Sequence, residues 1–303
     1  MSVISFVDDN MVLAEYYLKR NYTELAKQII QKKDNLTKYV ERYGKLAGFT
    51  VSSNEPLSKL YNRDFFVVRF LFANLQTEHE IQQEELLLEL LQCLKEYINE
   101  KKGYYNLRIP SHVVDIIRTY NSVFNSGLFC GGTIEEIING KIVTCNTNEN
   151  MKIFFADKSY IKKHYEVLLD FTYESFKYYH SQYHISPYTE KFAGKVYENW
   201  IRNSLKNNDN EIVIADYLGK PIGFITLAEK MNAVEGVLNA VDEKYRNYGA
   251  YRAMLCYAIN ESTKRGKSFV ISTQLDNFIV QGVWNSIGLR PFYSIYNMHI
   301  IRD

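Results

Sequence analysis

Apolar and polar positions recur with two different periods along this 303-residue chain, and the changes of period mark out its elements. Over 11–47, Leu13, Tyr16, Tyr17, Leu25, Ile29, Ile30, Leu36, Tyr39, Val40 and Tyr43 recur at spacings of three and four, which predicts helix. Asn21 with Glu24 supplies a second helix start inside it. Residues 65–72, entered through Asn62-Arg63-Asp64, form a run of aromatic and β-branched residues and predict a buried strand. Leu86, Leu87, Leu90, Leu91, Leu94 and Ile98 share one side of a helix over 78–100, which Gly103 stops. A strand at 106–109 ends at Pro110, a helix over 112–124 follows, and 127–130 reads as the next strand. Strand and helix in alternation predict a small parallel or mixed sheet. Gly131-Gly132 and Asn139-Gly140 mark turns. The polar run Asn146-Thr147-Asn148-Glu149-Asn150 is the predicted linker, dividing the chain into 1–148 and 149–303.

Beyond the linker the pattern changes character. A helix over 160–181 carries Tyr165, Phe171, Tyr173, Phe176, Tyr178 and Tyr179, and a second over 192–205 carries Tyr197 and Trp200. Strands at 211–216 and 221–228 form a hairpin around Leu218-Gly219-Lys220, and a strand at 234–241 follows. A basic turn then leads into an amphipathic helix, a strand at 268–273, a short helix stopped by Gly288 and further alternating strand to the end. No internal repeat is visible in the residues themselves.

Composition narrows the class. The length suits two domains, and a hydrophobic fraction of 46% can supply a sizeable core. A net charge of +1 gives no reason to expect nucleic acid or an acidic membrane as partner. Cys93, Cys130, Cys145 and Cys256 have neither C-x-x-C spacing nor clustering with His, which predicts reduced thiols in a cytoplasmic protein and no metal centre. Asp8, Asp9 and Glu15 break any early apolar run, so no signal peptide is read there, and no span of about 18 apolar residues occurs.

The chemistry concentrates in Leu238-Asn239-Ala240-Val241 and the turn and helix behind it, Asp242-Glu243-Lys244-Tyr245-Arg246-Asn247-Tyr248-Gly249-Ala250-Tyr251-Arg252. A helix start offers amides without intrahelical acceptors, which suits a phosphate or pyrophosphate. Gly249 lets the backbone approach the anion, and Lys244, Arg246 and Arg252 add positive charge. The strand at 268–273, then Asp276-Asn277, then a helix ending in Gly288-Leu289 complete the series.

This order resembles the acyl-CoA-binding core of the GNAT N-acyltransferases. The resemblance implies an α/β (α+β) fold, a GNAT-type mixed sheet flanked by helices, with an N-terminal α/β domain and an extra helical segment ahead of it. It also implies acetyl-CoA or another short acyl-CoA as co-substrate, held by Val241, Arg246, Asn247, Tyr248, Gly249, Ala250, Tyr251, Asn277 and Trp284. The backbone of Asn239, Ala240 and Val241 would stabilise the oxyanion where that strand splays from its neighbour. His180-Ser181-Gln182-Tyr183-His184 with Tyr197-Glu198-Asn199-Trp200-Ile201-Arg202-Asn203-Ser204, and Asp64-Phe65-Phe66 before them, are similar to segments of the TDP-fucosamine acetyltransferase family. That likeness implies transfer to the amine of a nucleotide-linked amino sugar, dTDP before UDP, as in lipopolysaccharide or O-antigen biosynthesis. His180, Tyr183, His184 and Trp200 would line the acceptor side, with His184, His180 and Glu235 as candidate bases.

Three departures qualify the likeness. Gln182 stands where the family has Arg, Tyr251 where it has Gly or Ala, and Trp284 where many members carry a Tyr general acid. An indole N–H cannot deliver a proton at neutral pH. The rival readings are a GNAT enzyme acting on a protein terminus or a polyamine, and a degenerate GNAT binding module. The helical N-terminal segment reads as a packing or oligomerisation element, consistent with a homodimer.

Overall fold

The computed structural model describes residues 2–6, 36–76, 80–111, 113–145, 148–206, 211–230 and 232–303. The chain divides into two compact units, Met1–Ile134 with Phe292–Asp303, and Glu135–Pro291. The polar run 146–150, where the sequence places the boundary, leads into a strand inside the second unit.

The first unit begins with β1 (Ser2–Phe6), β2 (Lys38–Arg42) and β3 (Lys45–Ser53). The helix expected over 11–47 is corrected at its end, because residues 38–53 form an antiparallel hairpin; 11–35 lie outside the described residues. Tyr43 and Gly44 both take positive φ, 53° and 71°, the two-residue turn whose twist matches a hairpin. Val40 turns inward between exposed Tyr39 and Glu41, so the spacing that mimics a helix belongs to a strand.

Next, α1 (Glu55–Tyr61) is capped by the Asn54 side chain, which accepts from the Leu57 amide at 3.1 Å. Then come β4 (Phe65–Gln76), α2 (Ile81–Glu100), β5 (Gly103–Pro110) and α3 (Val114–Val123). The leucine stripe of α2 is buried as expected, against Phe49, Phe70, Phe72 and Leu107. Each of those leucines contributes about 1.5–3 kcal/mol by leaving water. β6 (Leu128–Ile138) then runs across the unit boundary. It absorbs Gly131-Gly132, which the sequence reads as a turn.

In the second unit, β7 (Met151–Phe155) precedes α4 (Lys158–Phe176), the short α5 (Gln182–Ile185) and α6 (Ala193–Lys206). β8 (Glu211–Tyr217), β9 (Lys220–Glu229) and β10 (Ala233–Val241) form an antiparallel meander. α7 (Ala250–Lys264) crosses to β11 (Ser268–Gln274), parallel to β10. α8 (Phe278–Ile287) follows, and β12 (Arg290–Arg302) ends the chain as a partner of β5. α7 and α8 bury Met254, Leu255, Ile259, Trp284 and Ile287 on one face of this sheet. α4 and α6 bury Leu168, Phe171, Tyr197 and Ile201 against Ile212, Ile214, Phe224 and Leu238 on the other. The fold is thus the expected one, a large mixed sheet flanked by helices.

Cys145 and Cys256, expected as separate thiols, are joined as a disulfide across 111 residues of sequence, while Cys93 and Cys130 are not disulfide-bonded among the described residues. Pairing over such a separation is a tertiary event that residue spacing does not announce. Among the described residues, no helix is long and apolar enough to cross a membrane.

The units share an order that their residues conceal. In the first, β2, β3 and β4 pair antiparallel, α2 crosses to the parallel β5, and α3 follows. In the second, β8, β9 and β10 pair antiparallel, α7 crosses to the parallel β11, and α8 follows.

Candidate active site

A fork between two strands of the second unit organises the site. β10 and β11 pair only from Ala233–Ser268 to Gly236–Ile271, and past that point the two strands part. The cause is local: between Gly236 and Leu238 the register of β10 on β9 shifts, an extra residue that bends the strand. Beyond the bulge, the Asp242 amide donates to the Ile222 carbonyl (2.8 Å) and the Leu238 amide to Thr226 Oγ1 (3.0 Å), both toward β9. Backbone groups alternate sides along a strand, so Ala240 also faces β9 while the amides of Asn239 and Val241 face the fork.

The turn after β10 makes an uncapped helix start. Asp242 accepts from the Lys244 amide at 3.1 Å and opens a single 3₁₀ turn over Glu243–Tyr245. Asn247 (φ 71°) and Gly249 (φ 79°) are then left-handed on either side of Tyr248. α7 begins directly after Gly249 with no side-chain cap, so its first-turn amides point outward with the positive end of the helix dipole. A Cβ on Gly249 would meet nothing within 4 Å; the backbone angle, with open space in front of it, is what calls for glycine.

The charges and rings around this turn are partly committed. Arg246 is exposed and lies 3.6 Å from Glu243, whereas the Arg252 guanidinium is tied to Ser286 on α8. Tyr248 packs edge-on against Tyr217 and Tyr245, covering the turn.

The end of α4 spans the mouth of the fork. Ser175 Oγ donates to the Val241 carbonyl on β10 at 3.4 Å. On the other side, Tyr179 Oη meets Thr273 Oγ1 of β11 at 3.3 Å, and His180 Nδ1 lies 3.0 Å from Asp276 Oδ2. Asn277 caps α8 by accepting from the Val280 amide at 3.4 Å, and its Nδ2 donates to Thr273 Oγ1 at 2.9 Å. The end of α4 therefore joins Val241 of β10, through Ser175, to Thr273, Asp276 and Asn277, through Tyr179 and His180.

The two histidines differ in what remains available. His184 has Nδ1 at 3.0 Å from Ser181 Oγ and Nε2 at 3.1 Å from the Lys177 carbonyl, so both ring nitrogens are taken. Burial holds its pKa below the ordinary histidine value. His180, exposed, is held through Nδ1, the pairing that leaves Nε2 for a proton. Glu235 is paired with Lys230 at 3.5 Å. Tyr183 and Trp200 both lean on the buried Tyr197, whose ring also stacks on Phe176 at 4.2 Å.

Trp284 is fully buried and donates its Nε1–H to Tyr251 Oη at 2.8 Å. Tyr251 is partly exposed, the second residue of α7, and its hydroxyl pKa is raised chiefly by desolvation. Sequence reasoning missed Glu136 on β6. It is 0% exposed, neither carboxylate oxygen has a hydrogen-bond partner among the described residues, and desolvation pushes its pKa to about 7. Its field also reaches Tyr251. The only sequence cue was a pair of glutamates inside Ile134-Glu135-Glu136-Ile137-Ile138.

Residues 169–289, inside the second unit, match the model of the acetyltransferase (GNAT) family. Among solved structures, the chain is similar to a GCN5-related N-acetyltransferase from Sphaerobacter thermophilus, with TM-score 0.57 and 10% identity over 91% of this chain and 85% of that one. It is also similar to a GNAT-family acetyltransferase from Colwellia psychrerythraea, with TM-score 0.52 and 11% identity over 98% and 99%. A conserved protein of unknown function from Staphylococcus epidermidis gives TM-score 0.55 and 13% identity over 90% and 98%. At these identities the structural likeness shows the fold. No curated protein matches the chain. The family match is thus confined to residues 169–289, and the structural neighbours add likeness of fold.

Proposed function

Taking residues 169–289 as a GNAT acetyltransferase domain, we propose that the chain transfers a short acyl group from acyl-CoA to an amine, at the fork between β10 and β11. The observation that carries this reading is the end of strand pairing at Gly236–Ile271 beside the uncapped start of α7. An extended thioester arm fits between parted strands whose amides lack a ladder partner on that side, while the helix start takes its pyrophosphate. Arg246 and Lys244 are exposed cations beside that start.

The chemistry then follows from the groups at hand. The amine nitrogen attacks the thioester carbon, and the amides of Asn239 and Val241 hold the oxyanion that forms. His180 Nε2, oriented through Asp276, takes the proton that the nitrogen loses. As the C–S bond breaks, the thiolate takes a proton from Tyr251, whose oxygen is already fixed by the Trp284 indole. The Tyr251 hydroxyl is protonated at neutral pH, and burial raises its pKa further above the ordinary tyrosine value.

Within this reading the acceptor is the amine of a nucleotide-linked amino sugar. Support comes from the likeness of the 180–204 segment and from the aromatic cluster at the acceptor side of the fork, where Trp200 is 39% exposed. Stacking of a base on such rings is worth about 1–3 kcal/mol. The test pairs two measurements. Acetyl-CoA should raise the melting temperature, and TDP or UDP should do so independently. Binding of acetyl-CoA with no response to either nucleotide at millimolar concentration removes the sugar reading and leaves the acyltransferase; no response to acetyl-CoA removes both.

A further inference from the structure

The first unit repeats the order of the second, including its fork. β4 and β5 pair in parallel from Phe65–Tyr104 to Arg69–Arg108, and then β4 runs on to Gln76 without β5. In the second unit the corresponding edge of β10 carries no further strand among the described residues, where the neighbours of β10 are β9 and β11. In the first unit that edge is covered. β3 lies along one side of β4 from Phe66 to Ala73, and β1 pairs with Leu71, Phe72, Leu75 and Gln76 on the side that β5 has left.

The helix starts differ in the same sense. The segment leading into α2, Gln76-Thr77-Glu78-His79-Glu80, has no glycine and no lysine or arginine. At the start of α2 the Glu80 amide and Gln83 Nε2 both donate to Asp115 Oδ2, at 3.4 and 3.1 Å. Asp115 comes from the first turn of α3 and is 1% exposed. An internal carboxylate therefore stands at the helix start, where the second unit leaves the amides of α7 facing outward. Lys45 Nζ is spent on the Glu80 carboxylate at 2.8 Å, so a second anion brought there would meet the buried Asp115 carboxylate with that cation already paired.

We infer that the first unit is a copy of the acyl-CoA-binding half-fold whose own chain fills the ligand's place, β1 along the fork and Asp115 at the helix start. The whole chain then takes one acyl-CoA, held by the second unit. This rests on the acyl-CoA reading above and deepens it by assigning the site to one of two like units.

Isothermal titration of the full-length chain with acetyl-CoA decides it, with Arg246→Glu as the second sample. The expected result is one acetyl-CoA per chain for the wild type and a loss of at least tenfold in affinity for Arg246→Glu, with a thermal melt showing that the variant is folded. Two molecules per wild-type chain overturn the inference, as does an undiminished site in Arg246→Glu. No binding by the wild type overturns the acyl-CoA reading itself, a distinct outcome.

Discussion

The Trp284 indole donates to the Tyr251 hydroxyl at 2.8 Å, so a ring on one helix holds a tyrosine on another. The donor on α8 fixes an oxygen on α7, and the hydroxyl proton of Tyr251 must point away from the indole. This pairing changes what the two substitutions should do. Tyr251→Phe should lower kcat about 100-fold, within the range of general acid catalysis, with the acyl-CoA KM nearly unchanged. Trp284→Phe should show a smaller rate loss and a clear drop in melting temperature, because it opens a cavity in a fully buried site. Equal rates for Tyr251→Phe and wild type would exclude Tyr251 as the proton donor.

Gly249 separates binding from folding if the substitution respects its left-handed backbone. Gly249→Val places a β-branched residue at φ 79° and should cost about 1–3 kcal/mol of stability. Gly249→Asn tolerates that conformation and should melt close to wild type. The Asn variant should nonetheless bind acetyl-CoA at least tenfold more weakly, because its side chain occupies the space before the helix start. Calorimetric titration of both variants reads the difference.

His180 and His184 should respond differently to replacement by Gln. His180→Gln removes the acceptor for the amine proton and should reduce kcat at saturating acyl-CoA with no change in melting temperature. Asp276→Asn should show a milder form of the same defect. His184→Gln disturbs contacts to Ser181 and the Lys177 carbonyl, and should lower the melting temperature first. A rate defect confined to His184→Gln would reverse the assignment.

Glu136 and His299 set opposite limits on stability. Burial raises the Glu136 carboxyl from 4.5 to about 7, so below pH 4.5 it is protonated in folded and unfolded chains alike and costs nothing. As pH rises from 4.5 to 7 the folded state binds a proton that the unfolded state has lost. Holding the ion above pH 7 costs about 3 kcal/mol at 1.36 kcal/mol per pKa unit. Glu136→Gln should therefore raise the melting temperature at pH 8 and do so much less at pH 5. Burial lowers His299 from 6.5 to about 3, so its contribution is full above pH 6.5 and is lost as pH falls toward 3. His299→Gln should flatten the acid limb of the stability profile, followed by melting at successive pH values.

The parts of the fold that follow from local pattern were legible. The leucine stripe of α2, the buried run of β4, the Leu218-Gly219 hairpin and the β10–turn–α7 series need only neighbours in sequence to specify them. The β2–β3 hairpin was misread because Tyr39, Val40 and Tyr43 fit a helix spacing equally well, and only the Tyr43-Gly44 turn distinguishes the two. At the site, the direction of the Asn239 and Val241 amides depends on a bulge that no residue type announces. Asp276 was read only as flanking Asn277, yet it faces His180 from 96 positions away. The burial of Glu136 is equally a tertiary fact, since two adjacent glutamates in a strand ordinarily imply one exposed side.

The pairing of β12 with β5 reaches beyond the finished fold to how the chain is made. Gly103–Pro110 leaves the ribosome long before Arg290–Arg302, its antiparallel partner. At about 5–20 residues per second the nascent first unit waits on the order of ten seconds or more with that edge of β5 unclaimed. An open strand edge is a template for pairing with another chain. A message truncated near codon 289 would therefore yield a protein with a complete GNAT-matching segment and a sticky amino-terminal half, and its aggregation would trace to residues far from the missing ones.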